Sequence, residues 1–259
     1  MLGLERWRWL AMWAFPPLVL LMALAGGCDD GGVPATATPS TQEQGGVSPE
    51  VEDELRSILR QWGSRDARIA YKASTVTRGV REEADILFQW RPSLKQWRMD
   101  IALADGESGS VIHDGTDLYL CDDAEHACLR LLPEESPVAP LPFVADSEVL
   151  ADPALVAESV LQQLRTGTTV VSSRTVADIA ARCFTSTGLV GVTGALERLE
   201  VCFAVDTALL LRAEALAVPQ GGQQDSSLFE ATQVSGDVAA DAFRPPYEVV
   251  NVTPTPSSP

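Results

Sequence analysis

Positive charge is scarce in this chain. Its 259 residues include 19 lysines and arginines against 36 aspartates and glutamates, and the formal net charge is −17 at pH 7. A surface this acidic repels the phosphates of nucleic acid and of anionic lipid headgroups. The composition therefore predicts that nucleic acid is not a partner of this protein.

The chain also lacks the short motifs that usually identify a catalytic or metal site. It contains no H-E-x-x-H, P-loop, G-x-G-x-x-G or C-x-x-C sequence, and only two histidines, His113 and His126. His113 precedes Asp114 in an Asp-Gly turn, where a solvated loop is favoured over an acid–base pair. Five acidic residues near one hairpin lack the spacing of a calcium loop and are interpreted as solvated turn residues: Asp114, Asp117, Asp122, Asp123 and Glu125. We predict no catalytic residue, no metal and no cofactor.

The N-terminal apolar segment is too short to be an ordinary membrane span. Residues 10–25 are interrupted by two prolines and fall short of the roughly 20 residues that a spanning helix needs. Arg6 and Arg8 precede the segment, as in an export signal. The small residues Gly26 and Gly27 then lead to Cys28, where apolar character ends.

The sequence from Leu24 to Cys28 (LAGGC) resembles the lipobox of bacterial lipoproteins, with the leucine one position farther from the cysteine than usual. The resemblance implies that residues 1–27 are a signal peptide and that Cys28 is acylated, for example by palmitate. It implies a protein anchored by lipid to the outer face of the cell membrane. An uncleaved anchor helix and ordinary signal cleavage are the alternatives.

Composition divides the mature chain into three parts. Residues 28–48 are rich in Gly, Pro, Thr and Ser and are predicted to form a disordered tether. Residues 49–250 have the apolar patterning of one folded domain. Residues 251–259 are predicted to form a disordered tail.

Two helices are predicted within the domain. The first follows Ser48, a favourable N-cap, and its apolar residues recur at helical spacing: Val51, Leu55, Ile58, Leu59 and Trp62. The second begins at Asp152-Pro153 and ends at Gly167, with Ala157, Val160, Leu161 and Leu164 as its apolar stripe. Between the two, residues 132–149 carry four prolines and are predicted to form a long irregular loop.

Most of the remaining domain alternates apolar and polar residues, as antiparallel strands with one buried face do. Two helices with about ten such strands indicate an α+β fold. The large apolar residues that share one face are candidates to line a hydrophobic cavity: Phe88, Trp90, Trp97, Met99, Leu118, Leu120, Phe184 and Phe203. The same residues could instead form a filled core.

The four remaining cysteines are predicted to form two disulfides. Pairing Cys121 with Cys128 in a hairpin places Leu118, Leu120, Leu129 and Leu131 on one face, opposite the cysteines. Pairing Cys183 with Cys202 places Phe184, Leu199, Val201 and Phe203 on one face in the same way. An even cysteine number suits an exported protein, although reduced thiols or a metal site are alternatives.

The order of these features is similar to that of the LolA/LolB-like superfamily. The resemblance rests on the N-terminal helix, the hairpin Asp114-Gly115-Thr116-Asp117-Leu118-Tyr119, the segment Cys202-Phe-Ala-Val-Asp206 followed by Leu209-Leu-Leu211, and the late Phe243-x-Pro-Pro. The superfamily includes lipoprotein carriers, mycobacterial glycolipid-binding lipoproteins and the sensor domain of a sigma-factor regulator. The resemblance implies a curled antiparallel half-barrel with two or three helices covering its concave face and an acyl chain held between them.

The lipobox and the fold pattern together favour two alternative functions. The first is a lipid-anchored protein that binds a lipid or another hydrophobic ligand in the half-barrel. The second is a lipid-anchored sensor or scaffold that binds another envelope protein and has no ligand cavity. Enzymatic activity is not predicted, because no catalytic constellation accompanies the fold pattern.

Overall fold

The computed structural model describes residues 46–131, 150, 152–191, 194–218 and 224–251. Within these ranges the chain forms two α-helices, α1 (Pro49–Leu59) and α2 (Pro153–Leu164), and twelve strands. The strands are β1 (Ala67–Thr77), β2 (Val80–Arg91), β3 (Gln96–Leu103), β4 (Ser108–His113), β5 (Leu118–Asp122), β6 (Ala127–Leu131), β7 (Thr168–Val176), β8 (Ile179–Gly191), β9 (Gly194–Ala204), β10 (Leu210–Ala217), β11 (Ser226–Ser235) and β12 (Glu248–Asn251). The predicted signal peptide, Cys28, most of the tether, the proline-rich loop and residues 252–259 lie outside the described residues.

All twelve strands belong to one curled, unclosed sheet. Its order is β12-β6-β5-β4-β3-β2-β1-β11-β10-β9-β8-β7, so β1 joins the first half of the chain to β11 of the second half. The curl brings β7 close to β11 and to α1. The α+β half-barrel is confirmed, although the sheet has twelve strands where about ten were predicted.

One pairing differs from the prediction of an entirely antiparallel sheet. β12 pairs with β6 in parallel, from Glu248 opposite Ala127 to Asn251 opposite Arg130. The sequence could not indicate this strand, because four residues are too few for a clear alternation.

Both helices begin where the sequence places them. Ser48 accepts a hydrogen bond from the Val51 N–H at the start of α1, and Asp152 accepts one from the Ala154 N–H at the start of α2. The predicted stripes face the sheet, and the buried residues are Leu55, Ile58, Leu59, Val156, Ala157, Val160, Leu161 and Leu164. Neither helix of the described segments is long and apolar enough to cross a membrane.

The predicted Asp-Gly turn lies between β4 and β5 and requires glycine. Gly115 has φ +103°, and a Cβ at this position would lie 2.8 Å from the Leu94 carbonyl oxygen. The turn fixes the register in which Val111 pairs with Leu120 and His113 with Leu118. The leucines of β5 are thereby directed to the same face as the large residues of β3.

Candidate functional site

The eight predicted cavity residues share one face of the sheet. Each is at most 7% exposed, and all belong to one apolar cluster with the stripes of both helices. In the first half of the sheet, Trp90 pairs with Trp97 and Phe88 with Met99, with Leu118 and Leu120 two strands away. Phe184 and Phe203 lie on the same face in the second half. We call this surface the helix-covered face.

Both helices and the residues that follow α1 pack on this face. The Trp62 indole ring, just after α1, lies 5.1 Å from the Trp90 ring, and its Nε1 donates to the Leu150 carbonyl oxygen. At the end of α2, the Leu164 carbonyl oxygen accepts a hydrogen bond from Ser186 of β8. The helices therefore cover the large residues of both halves.

Ion pairs join the two helices at their outer surface. Arg56 of α1 pairs with Glu52 at 2.8 Å and with Glu158 of α2 at 2.9 Å, and Arg165 pairs with both glutamates. Hydrogen bonds from Arg56 lower the pKa of both carboxyl groups. A further pair at 2.6 Å joins Glu54 of α1 to Arg182 of β8. The helices are thus tied to each other and to the sheet by charge as well as by apolar contact.

Two buried donors on the helix-covered face, in Trp97 and Thr169, have no acceptor among the described residues. The Nε1–H of Trp97 is buried and has no hydrogen-bond partner among the described residues. The Trp97 side chain is 2% exposed, and its ring lies 6.1 Å from the stacked His113 ring. Buried indole N–H groups normally find an acceptor. Trp97 therefore provides an unused polar group on a mostly apolar surface.

Both predicted hairpin registers are confirmed, and the structure contains both disulfides. Cys121 pairs with Cys128, and Cys183 with Cys202, with Cα–Cα distances of 4.0 Å in each case. The cysteines lie on the opposite face from the leucines and phenylalanines of the same strands. Each disulfide therefore fixes a hairpin without occupying the helix-covered face.

The opposite face carries a buried ion network that the sequence did not indicate. Glu200 is 6% exposed and accepts hydrogen bonds from Arg174 at 2.9 Å, Arg212 at 3.0 Å and Thr185 at 3.2 Å. One of its oxygens also lies 3.9 Å from the Cys202 sulfur. Alternation alone predicts an exposed glutamate here, but an arginine from β10 on one side and another from β7, two strands away on the other side, cover it.

A second apolar cluster covers the first disulfide. Ile112, Tyr119, Cys121 and Cys128 pack there against the segment before β12, in which Phe243 is 3% exposed. Arg91 lies 5.2 Å over the Phe243 ring and also donates to the Val238 carbonyl oxygen. The prediction that large apolar residues use a single face is therefore correct for the eight candidates and wrong for Ile112, Tyr119 and Phe243.

A groove of about 490 Å³ also lies on the face opposite the helices, across β11, β1, β2 and β3. Small side chains such as Ser74 and Ala102 leave space there, and Leu228 contributes to the apolar lining. Its charged residues form ion pairs, Lys72 with Asp85 and Arg81 with Glu83. The sequence did not predict the groove, because it depends on how four strands curve together.

The acidic residues near the first hairpin act as turn acceptors. Asp114 Oδ1 accepts from the Thr116 and Asp117 N–H groups, and Asp122 Oδ1 accepts from those of Ala124 and Glu125. Asp122 is 7% exposed, so its prediction as a solvated residue is wrong.

The hydroxyl groups of two buried tyrosines, one on each face of the sheet, also form hydrogen bonds within the chain. Burial raises the pKa of Tyr71, whose hydroxyl donates to the Leu210 carbonyl oxygen at 2.7 Å. Burial, followed by the Asp114 charge, raises the pKa of Tyr119 to about 12. Within the described ranges, the one compact group of metal-ligand residue types is Cys183, Glu200 and Cys202, and both of these cysteines are disulfide-bonded.

Several solved structures are similar to this chain. The complex of MucA and MucB from Pseudomonas aeruginosa matches with a TM-score of 0.45 and 16% identity over 78% of this chain and 64% of the matched chain. The lipoprotein LppX of Mycobacterium tuberculosis matches with a TM-score of 0.38 and 15% identity over 74% of this chain and 99% of LppX. A LolA superfamily protein from Nitrosomonas europaea matches with a TM-score of 0.33 and 10% identity over 73% and 96% of the two chains.

A LolA superfamily protein is thus among the structures to which this chain is similar, as the order of its sequence motifs predicts. No protein-family model and no curated protein sequence matches the chain.

Proposed function

We propose that this protein is a lipid-anchored, extracytoplasmic binding protein that holds a lipid or another hydrophobic ligand on the helix-covered face. The ligand would lie between the sheet and the helices, against the eight large apolar residues. The acylated Cys28 would hold the domain at the outer face of the cell membrane through the tether of residues 28–48. No reaction is assigned to the site.

The shape and chemistry of this face support the proposal. Hydrophobic ligand sites are concave, mostly apolar and equipped with a few polar groups that orient the ligand. The helix-covered face combines a curled sheet with large apolar side chains from five strands. Its cover consists of two helices, whose outer surfaces are joined by ion pairs.

The observation that carries the proposal is the Nε1–H of Trp97, which has no acceptor among the described residues. Leaving a buried donor unsatisfied costs about 1–3 kcal/mol, so such a donor is uncommon in a core that serves packing alone. A hydrogen-bond acceptor on the ligand, such as an ester or carboxyl oxygen, would satisfy it. The ligand class is therefore an amphiphile with an acyl or similar apolar chain and an oxygen acceptor near one end.

Substitution of Trp97 tests the ligand site. In the mature chain without its acylated cysteine, that is residues 29–259 exported behind a cleavable signal, W97F is expected to weaken binding of a fluorescent fatty acid about three- to tenfold. This range corresponds to one hydrogen bond of roughly 0.5–1.5 kcal/mol. Folding stability is expected to stay equal or rise, because the variant removes an unsatisfied buried donor.

W62F provides the matched control, because the Trp62 N–H already bonds to the Leu150 carbonyl oxygen. This variant is expected to lose stability and to keep its ligand affinity. Native mass spectrometry of the unsubstituted chain should also show a co-purifying lipid. A chain that binds neither the fatty acid nor any lipid would rule out the ligand site.

Substitution of Cys28 tests the anchor. C28S is expected to abolish incorporation of an alkyne-labelled palmitate in cells, because the serine hydroxyl does not replace the thiol in acylation. G27A keeps a small residue before the cysteine and is expected to remain labelled. Labelling that survives in C28S, or a mature chain that starts elsewhere than Cys28, would contradict the anchor.

A second candidate function is a lipid-anchored sensor or scaffold that binds an envelope protein without holding a ligand. The groove across β11, β1, β2 and β3 favours this second function, because it is open, lies on the face opposite the helices and is lined by charged side chains. The same ligand assay separates the two candidates. If the protein is a scaffold, it takes up no amphiphile. The lipid-anchored protein would then retain a protein partner after extraction from the membrane with detergent.

A further inference from the structure

The outer edge of β7 is an exposed edge of the sheet. β7 has nine residues, and within the described part of the chain β8 is its one neighbouring strand. Although the curl brings β7 near α1 and β11, Val176 is its one fully buried residue, and Val170 is 60% exposed. Within the described residues, the backbone N–H and C=O groups of β7 that point away from β8 have no partner strand, and such groups favour strand pairing.

This edge lacks the features that usually protect edge strands from pairing. The sequence Thr168–Val176 (TTVVSSRTV) contains no proline, no lysine and no bulge in its pairing with β8, and six of its residues are β-branched. The other edge of the sheet, β12, has four residues. A nine-residue strand composed mostly of β-branched residues is instead a favourable template for an added strand.

We infer that β7 pairs with β7 of a second copy of this chain, antiparallel and across a two-fold axis at Ser172. Ser172 is the midpoint of the strand, so this register pairs all nine residues. It places Val170 opposite Arg174, and Thr168 opposite Val176. Like residues then meet at Ser172 and where Thr169 faces Thr175, and the two arginines do not face each other.

The charge distribution favours a second copy at this edge over other surfaces. Two chains of net charge −17 repel each other over most approaches. β7 has no carboxylate, and its one charged side chain, Arg174, is paired with the buried Glu200 of its own chain. The edge is thus locally neutral, so two acidic molecules can meet there. Added salt should strengthen the dimer by screening the remaining repulsion.

Sedimentation of the mature chain tests the inference. The unsubstituted chain is expected to show a monomer–dimer equilibrium that tightens as NaCl rises from about 0.05 to 0.5 M, since the Debye length then shortens severalfold. V170K is expected to raise the dimer dissociation constant at least tenfold, because it adds positive charge opposite Arg174. V80K makes the same substitution at a valine that is 62% exposed but lies on an interior strand, and it should leave the dimer unchanged.

Cysteine cross-linking tests the register. S172C is expected to form an intermolecular disulfide under mild oxidation, because residue 172 faces its own copy. T175C faces residue 169 of the other copy and should remain uncross-linked. A chain that stays monomeric at all salt concentrations, equal effects of V170K and V80K, or efficient cross-linking of T175C but not S172C would each overturn the inference.

Discussion

Phe184→Ala is expected to destabilise the domain by about 3–5 kcal/mol. Phe184 is fully buried on the helix-covered face, where it pairs with Val201 of β9 and Val171 of β7. Truncation removes the apolar area of the ring and leaves a void that the disulfide-linked hairpin cannot readily close. Urea unfolding of the mature chain measures the loss, and the midpoint should fall without a large change in slope.

Val80→Ala is the control for this prediction, because Val80 is 62% exposed and its truncation should change stability by no more than about 0.5 kcal/mol. The loss of stability in Phe184→Ala also indicates whether the helix-covered face is tightly packed around this ring. A loss below about 1.5 kcal/mol would show that the ring borders open space and is not packed on all sides. The full loss would place Phe184 in a filled part of the core.

Removing the Cys183–Cys202 disulfide is expected to cost about 3 kcal/mol. The two cysteines are 19 residues apart, and the chain-entropy model gives about 3.3 kcal/mol for a closed loop of this size. The double variant Cys183→Ala/Cys202→Ala should therefore unfold at a clearly lower urea concentration. Glu200, Arg174 and Arg212 still connect β7, β9 and β10 in this variant, so the register of the hairpin should persist.

Cys121→Ala/Cys128→Ala provides the comparison, because these cysteines are 7 residues apart and the same model gives about 2.5 kcal/mol. Adding a reductant to the unsubstituted chain should lower its stability toward that of a chain without either disulfide. If neither double variant changes the urea midpoint, the cysteines do not form these disulfides in the protein.

The hairpin registers could be predicted because two independent patterns agree in them. In β5–β6, one register both pairs the two cysteines and places the leucines on one face. In β8–β9, one register likewise pairs the two cysteines and places the phenylalanines on one face. The starts of both helices could also be predicted, because N-capping depends only on residues close in sequence. Ser48 and Asp152 each accept a hydrogen bond from an N–H group in the first turn of their helix.

The features that escaped prediction depend on contacts between distant parts of the chain. Tyr119 alternates as an outward-facing residue, and only the arrival of the segment around Phe243 buries it. Glu200 similarly becomes buried because Arg174 and Arg212 approach from strands on either side. The missing acceptor of Trp97 could not be foreseen either, because a donor's satisfaction depends on every neighbour that folding brings to it.

The strand order gives the domain a divided covalent structure. Cys121–Cys128 lies wholly before Leu131 and Cys183–Cys202 wholly after Leu150, so neither disulfide links one half of the chain to the other. The halves meet through β1 against β11, through β12 against β6, and through α1 against α2. A single backbone cut between the halves would leave two internally cross-linked fragments that contact each other in the sheet and between the helices. The domain is thus organised like a protein suited to fragment complementation, in which each fragment has its own disulfide and the fragments associate through strand pairing and helix packing.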